Sequence, residues 1–266
     1  MNILDKIVAH KRTEVAEAKA KTSIYQLENA PLFGRSTLSL KKALQANDAT
    51  GIISEFKRKS PSKGIINDQV LPEIVTEGYV RAGASGLSVL TDTEFFGGTF
   101  EDFSKARAAN PTTPILRKDF MIDEYQLWEA KALGADVILL IAACLTPNEV
   151  RCLGQKAHDL GLEVLLEVHN REELEQSLCD FVDMVGVNNR NLKTFVTDIE
   201  TSLELSQLIP KHLVKISESG LKDVQTIQKL RIAGYQGFLI GETFMQTSNP
   251  ALALEEIANE MRQFEN

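Results

Sequence analysis

From Gly51 onward the sequence alternates eight times between a short apolar run and a stretch of helical periodicity. The runs are GIISEF, GLSVL, PILRK, DVILLIAA, LEVLLEVH, DMVGVN, LVKISESG and GFLIG. Helical patterns fall at 69–82, 100–109, 122–133, 147–160, 171–178, 200–208 and 221–233, with a last one at 251–263. Pro72 and Thr146-Pro147 are helix-start signals, and Gly83, Gly134, Gly161 and Gly234 are helix stops. Strands alternating with helices imply βαβ units and a parallel sheet. Eight units of regular length predict a closed (β/α)8 TIM barrel, with residues 1–266 forming one domain. An open doubly wound sheet is the alternative. It is disfavoured because no GxGxxG follows the first strand and no second domain remains to complete such an enzyme.

Residues 1–50 precede the first unit and read as an N-terminal helical extension. Ile3, Leu4, Ile7 and Val8 recur at helix spacing, and a second short helix is expected at Leu40 to Leu44. The extension is expected to pack on one end of the barrel. The net charge of -8 argues against a nucleic-acid partner. No apolar stretch has the length of a membrane span, and no secretory pattern opens the sequence. Cys144, Cys152 and Cys179 have neither disulfide-framework nor zinc spacing, and Cys144 reads as a buried small hydrophobe. The four histidines are scattered and show no HExxH, so no metal site is visible. A cytoplasmic monomer acting on a small molecule is the expectation. Trp128, mid-helix, is expected in the core.

The first run continues as IISEFKRKSPSKG, an apolar strand that ends in charge. In a βα barrel the active site lies where the strands end. Strand side chains alternate, so Glu55 and Lys57 share the face of Ile53. By the same alternation Lys118 follows Leu116, Glu167 follows Leu165 and Glu218 follows Ile216, while Asn188 ends the sixth strand. Arg117 and Asp119 should point the other way. One charge at a strand end is ordinarily solvated rim. Ionisable or amide groups from five strands in the inward register point to a site, because unpaired buried charge is costly. SESGL and LIGETF each place a glycine where a strand gives way to a helix, an arrangement suited to an anion. Ser60, Lys59 and Lys63 could add to the same anion site.

The strings SEFKRKSPSKG, LRKDFMID, LLEVHN, GVNNRNLKTF, SESG and FLIGE, in that order, resemble the strand-end motifs of indole-3-glycerol phosphate synthases. The resemblance extends from ILDKIVAHKR to the last helix. It implies a carboxy-lyase of tryptophan biosynthesis. Such an enzyme closes the indole ring of 1-(2-carboxyphenylamino)-1-deoxyribulose 5-phosphate with loss of carbon dioxide and water, using no cofactor. It also implies roles. Lys118 matches the general acid for ring closure, and Lys57 the group that binds the substrate carboxylate and assists dehydration. Glu55 and Glu167 match carboxylates that move protons and stabilise positive charge, with their division left open. Asn188 and Arg190 match polar support, and Glu218 and Ser219 the seventh-strand end. Ser60, Gly220 and Gly241 match the phosphate grip, and Phe96, Phe120 and Leu239 the walls around the aromatic ring.

Two further expectations attach to this reading. A cluster of cations is expected to depress the pKa of the acid lysine. Glu242, next to the phosphate-loop glycine, is expected to point away from the anion. Another phosphosugar barrel enzyme, an isomerase or a Schiff-base aldolase, is the alternative function.

Overall fold

The computed structural model describes residues 3–191 and 194–264. Leu192 and Lys193, part of the GVNNRNLKTF string, lie outside the described residues. Eight parallel strands close a barrel: β1 Ile52–Phe56, β2 Gly86–Leu90, β3 Ile115–Lys118, β4 Val137–Ile141, β5 Glu163–Val168, β6 Met184–Asn188, β7 Val214–Glu218 and β8 Gly237–Ile240. Each pairs with its sequence neighbours, and β8 closes on β1 through the register Ile53↔Leu239. The strands are apolar on both faces because both faces are covered. One set, including Ile53, Leu116, Leu139, Leu165, Met184, Ile216 and Leu239, fills the barrel. The alternate set, including Ile52, Phe56, Val89, Ile138, Leu166 and Phe238, packs against the helices outside.

The outer helices follow the predicted patterns closely. They are α4 Pro72–Arg81, α6 Phe100–Ala109, α7 Tyr125–Leu133, α8 Pro147–Asp159, α9 Arg171–Ser177, α10 Glu200–Leu205, α11 Val224–Ile232 and α13 Pro250–Phe264. Two short helices, α5 Thr93–Phe96 and α12 Glu242–Met245, and a hairpin of Lys59–Ser60 with Gly64–Ile65 were not foreseen. They are single turns, too short to show a period. Helix α7 stops at Gly134, whose φ of 82° suits a residue without Cβ. Trp128 is a correction. It is half-buried, its indole N–H donates to Glu28 across a gap of 3.3 Å, and Lys156 lies over its ring. It clasps helices together on the outside and takes no part in the core. Cys144 is half-buried and packs against both apolar sets.

The extension comprises α1 Ile3–Lys21, α2 Ile24–Glu28 and α3 Leu40–Leu44. It covers both ends of the barrel, which corrects the expectation of one. Helix α1 lies over the mouth, where Ile3, Leu4 and Ile7 line the cavity described below. Helix α3 plugs the opposite end, with Leu40 against Gly86 at the start of β2 and Leu44 against Gly237 at the start of β8. The chain between them runs down the wall, where Arg35 pairs with buried Asp136 and Ser39 donates to Glu163. Leu40 is fully buried. Leu40→Ala is therefore expected to destabilise the fold by about 2–5 kcal/mol, through lost transfer energy and the cavity left behind. Urea unfolding at an unchanged m-value would measure it.

Candidate active site

Strand alternation delivers the polar ends to one place. Glu55, Lys57, Lys118, Glu167, Asn188 and Glu218 all line a cavity of about 590 Å³ at the mouth. Arg117 points outward, and the Asp119 carboxylate pairs with it and with Lys11 at the edge of the cavity. Arg117 donates to Thr91 and to the Gln126 carbonyl and pairs with Asp119 at 3.1 Å and Glu129 at 3.4 Å. The inward register read from the apolar positions is the register observed.

The charges form a chain of pairs. Lys118 Nζ lies 2.7 Å from Glu167 Oε2 and 3.2 Å from Glu218 Oε2. Lys57 Nζ lies 2.7 Å from Glu55 Oε1, and Ser88 donates to the other Glu55 oxygen. Asn188 Nδ2 donates to Glu167 Oε1 at 3.1 Å. Burial alone would lower the Lys118 pKa, but Glu167, Glu218 and Glu55 outweigh it and the net shift is upward. This reverses the expected depression by cations. The neighbours that β5 and β7 bring to Lys118 are carboxylates, and Lys57 is already neutralised by Glu55. Burial would likewise raise Glu167, yet Lys118 and His169 drive it down. Glu218 is pushed up to about 7 by its burial, with Lys118 opposing and the Glu167 charge adding to the rise. Its Oε1 is buried without a hydrogen-bond partner and rests where a Cβ on Gly186 would fall. Glu218 is thus the carboxyl best placed to be neutral in the free enzyme.

The opposite side of the cavity is formed by the glycine turns. Ser60, Ser219, Gly220 and Gly241 all line it. Ser219 and Gly220 both adopt left-handed backbone, φ 68° and 78°. Asn189 holds this turn, donating to the Ser219 carbonyl and the Ser217 hydroxyl. The seventh-unit helix begins only at Val224, and the Asp223 side chain caps its N-terminus. Gly241, by contrast, is itself the cap residue of α12. The expectation of a helix terminus at both glycines therefore holds for one.

Arg190 ties three loops together. It donates to Ser62 in the first loop at 2.6 Å and to Glu242 in the eighth at 3.0 Å. Glu242 corrects its expectation. It lines the cavity, held by Arg190 and by Lys63 at 3.6 Å, so two cations offset the charge that would repel an anion.

Phe96 and Phe120, with ring centroids 5.9 Å apart, and Leu239 form the expected apolar wall, joined by Leu90, Leu139 and Ile141. Sequence reasoning missed two contributions. The first is α1, whose Ile3, Leu4 and Ile7 complete the wall and whose Lys11 is buried between Asp92 and Asp119 at 3.0 and 2.9 Å. The second is His169, which lies 3.3 Å from Glu167. Its position two residues after Glu167, on the same strand face, was the available signal. Among the described residues, no group of three or more His, Cys, Asp or Glu side chains is placed to hold a metal. No helix among them is long and apolar enough to cross a membrane.

Comparison with known proteins gives one family. The profile described as indole-3-glycerol phosphate synthase matches residues 4–257. A curated protein of that name from Bacteroides thetaiotaomicron is 50% identical over 254 residues, with 96% of each chain covered. Another, from Burkholderia vietnamiensis, is 43% identical over 255 residues, covering 95% of this chain and 97% of its own. Among solved structures, 3-hexulose-6-phosphate synthase from Salmonella typhimurium aligns with TM-score 0.65 at 12% identity, over 80% of this chain and 99% of that one. Thiamine phosphate pyrophosphorylase from Pyrococcus furiosus aligns with TM-score 0.60 at 12% identity, over 86% and 100%. These two likenesses concern the barrel fold alone.

Proposed function

Because the chain belongs to the indole-3-glycerol phosphate synthase family, we propose how its strand-end residues divide that family's reaction. The enzyme is a carboxy-lyase of tryptophan biosynthesis acting on a phosphorylated small molecule. Its substrate, 1-(2-carboxyphenylamino)-1-deoxyribulose 5-phosphate, loses carbon dioxide and water as the indole ring forms. The observation that carries the assignment is the partly buried Lys118 ammonium, which lines the cavity that the apolar wall and the glycine loops share.

The sugar phosphate sits against Ser60, Ser219, Gly220 and Gly241, with Arg190 latching the loops around it. The anthranilate ring then lies on Phe96, Phe120 and Leu239, and its carboxylate meets Lys57. Lys118 protonates the carbonyl oxygen as the carbon–carbon bond closes. Glu55, beside Lys57, stabilises positive charge on the substrate nitrogen. Decarboxylation removes charge from the substrate, so the apolar wall favours it. Loss of water then requires a ring proton to leave and the departing hydroxyl to gain one. Glu167 takes the first and Lys57 supplies the second. Asn188 steadies Glu167, and Glu218 contacts a substrate hydroxyl. Both lysines are paired with carboxylates, which favours acid catalysis over Schiff-base chemistry. The family and these pairs thus both speak against the aldolase alternative.

Purified enzyme supplied with the substrate should develop indole absorbance and fluorescence, and failure to do so overturns the assignment. Gly241→Asp is expected to abolish stabilisation by phosphate. A Cβ there would fall 2.7 Å from Glu55 Oε1 and 2.9 Å from Glu55 Cβ, so the loop must shift and carry a new negative charge with it. Phosphate at 100 times its Kd should stabilise the parent by about 2.7 kcal/mol. A thermal shift that persists in the variant would place the anion elsewhere. We also propose a cytoplasmic monomer, the compartment alone supported by three unpaired thiols; sedimentation checks the oligomeric state.

A further inference from the structure

Glu167 receives more positive charge than the reaction roles account for. Besides Lys118 and Asn188 it faces His169, whose Nε2 lies 3.3 Å from Glu167 Oε1. The imidazole is nearly closed off, its side chain 9% exposed. Glu173, on α9, grips it from behind, with Oε2 3.1 Å from Nδ1 and also accepting the His169 backbone N–H at 2.8 Å. Asn170 in turn donates to the other Glu173 oxygen. Glu173 is hydrogen-bonded to Nδ1, and the Glu167 carboxylate lies beside Nε2 without completing a hydrogen bond, so a negative charge stands near each ring nitrogen and favours the imidazolium. Burial works against that charge, but Glu167 and Glu173 prevail, raising the His169 pKa to about 10.

We propose that His169, gripped by Glu173, is a positioning residue that supplies a fixed positive charge to Glu167 and keeps that carboxylate ionised and aimed for ring-proton abstraction. The inference rests on the assignment of Glu167 as the base. A base this deeply buried would otherwise drift towards its neutral form, because burial disfavours the carboxylate charge. Lys118 cannot hold it alone throughout the cycle. Once Lys118 has given its proton to the substrate it is neutral, and among the described residues His169 is then the cation left beside Glu167. Charged or titratable groups reach the pair from six elements, while β6 contributes the neutral Asn188 amide. Lys118 comes from β3, Glu218 from β7, Glu55 from β1, Cys144 from the turn after β4, Glu173 from α9 and Asp5 from α1. Glu167 and Glu218 share the Lys118 ammonium, so the informative quantity is the difference between variants.

The test compares the pH profile of kcat/KM for the parent, His169→Gln, His169→Lys and Glu173→Gln. In His169→Gln the acid limb should move to higher pH by at least about one unit, the size expected for an opposite charge removed at this range. kcat should fall while KM changes little. His169→Lys, which restores the charge without the ring, should bring the limb back. Glu173→Gln should move it the same way by less, and this variant serves if His169→Gln does not fold. An unmoved limb in His169→Gln and Glu173→Gln overturns the proposal. So does an equal displacement in the Gln and Lys variants, which would mean that shape matters and charge does not. Glu167→Gln separates this inference from its premise. If it is inactive while the His169→Gln limb stays put, only the inference fails. If it retains near-normal turnover, Glu167 is not the base and both readings fall.

Discussion

Lys118→Met should reduce turnover by at least about 100-fold, and by as much as about 10,000-fold, the usual loss when a positioned acid is removed. Methionine keeps the length and apolar stem but carries no proton. The fold should survive. The charge removed is a cation among three carboxylates, and Glu218, already raised to about 7, can take up a proton to relieve the repulsion that remains. Substrate affinity should change little, since the phosphate and the anthranilate carboxylate are held elsewhere. Arg117→Met is the control one residue away. Arg117 lies outside the barrel wall, 1% exposed, between Asp119 and Glu129. Its loss should cost about 3–5 kcal/mol of stability, because buried carboxylates lose their partner. Steady-state kinetics and urea unfolding on both variants separate the outcomes. If Lys118→Met turns over normally and Arg117→Met does not, the strand register is wrong and the inward set fails with it.

Lys11→Met should also cost about 3–5 kcal/mol, and its effect should be felt first at the mouth of the barrel. Lys11 is 4% exposed and joins α1 to Asp92 and Asp119. Asp92 caps α5, which carries Phe96, and Asp119 follows Lys118 in the chain. Removing the ammonium leaves both carboxylates buried and frees α1, whose Ile3, Leu4 and Ile7 wall the cavity. KM should therefore rise along with the loss of stability. The pH dependence has a definite sign. Burial opposes the Lys11 charge, but Asp119 and Asp92 raise its pKa above the unfolded value of 10.5. Its contribution is complete below that value and fades as pH climbs through the folded pKa. Asp119 is also opposed by burial, yet Arg117 and Lys11 lower it from 3.8 to about 2. Its contribution is complete above 3.8 and is lost as pH falls towards 2. Between these limits the link is intact. Parent and variant should differ most across that window and converge at either extreme. A constant difference at all pH values would show that Lys11 acts by packing alone.

Some of this was legible in the chain before any coordinates. The eight units, the barrel and the facing of Glu55, Lys118, Glu167 and Glu218 follow from local periodicity. A strand with apolar residues on both faces has to lie between two packed layers, and alternation then assigns every side chain to one layer or the other. The glycine loops were legible for a similar reason, since each motif is contiguous, whereas the apolar wall, drawn from three separate segments, came only with the family resemblance.

What the tertiary structure alone decided is which charge meets which. Lys11 reads as an ordinary charge on an amphipathic helix until Asp92 and Asp119, far along the chain, are folded against it. Helices α1 and α3 have similar apolar stripes, and no period distinguishes the end of the barrel that each covers. The direction of the Lys118 pKa depends on Glu167 and Glu218, 49 and 100 residues away. Glu242 depends on Arg190 and Lys63 in the same way. Periodicity is a short-range property, so the sequence determines elements and the faces they bury. Coulomb and desolvation energies depend on through-space distance and burial, which exist only once the barrel has closed.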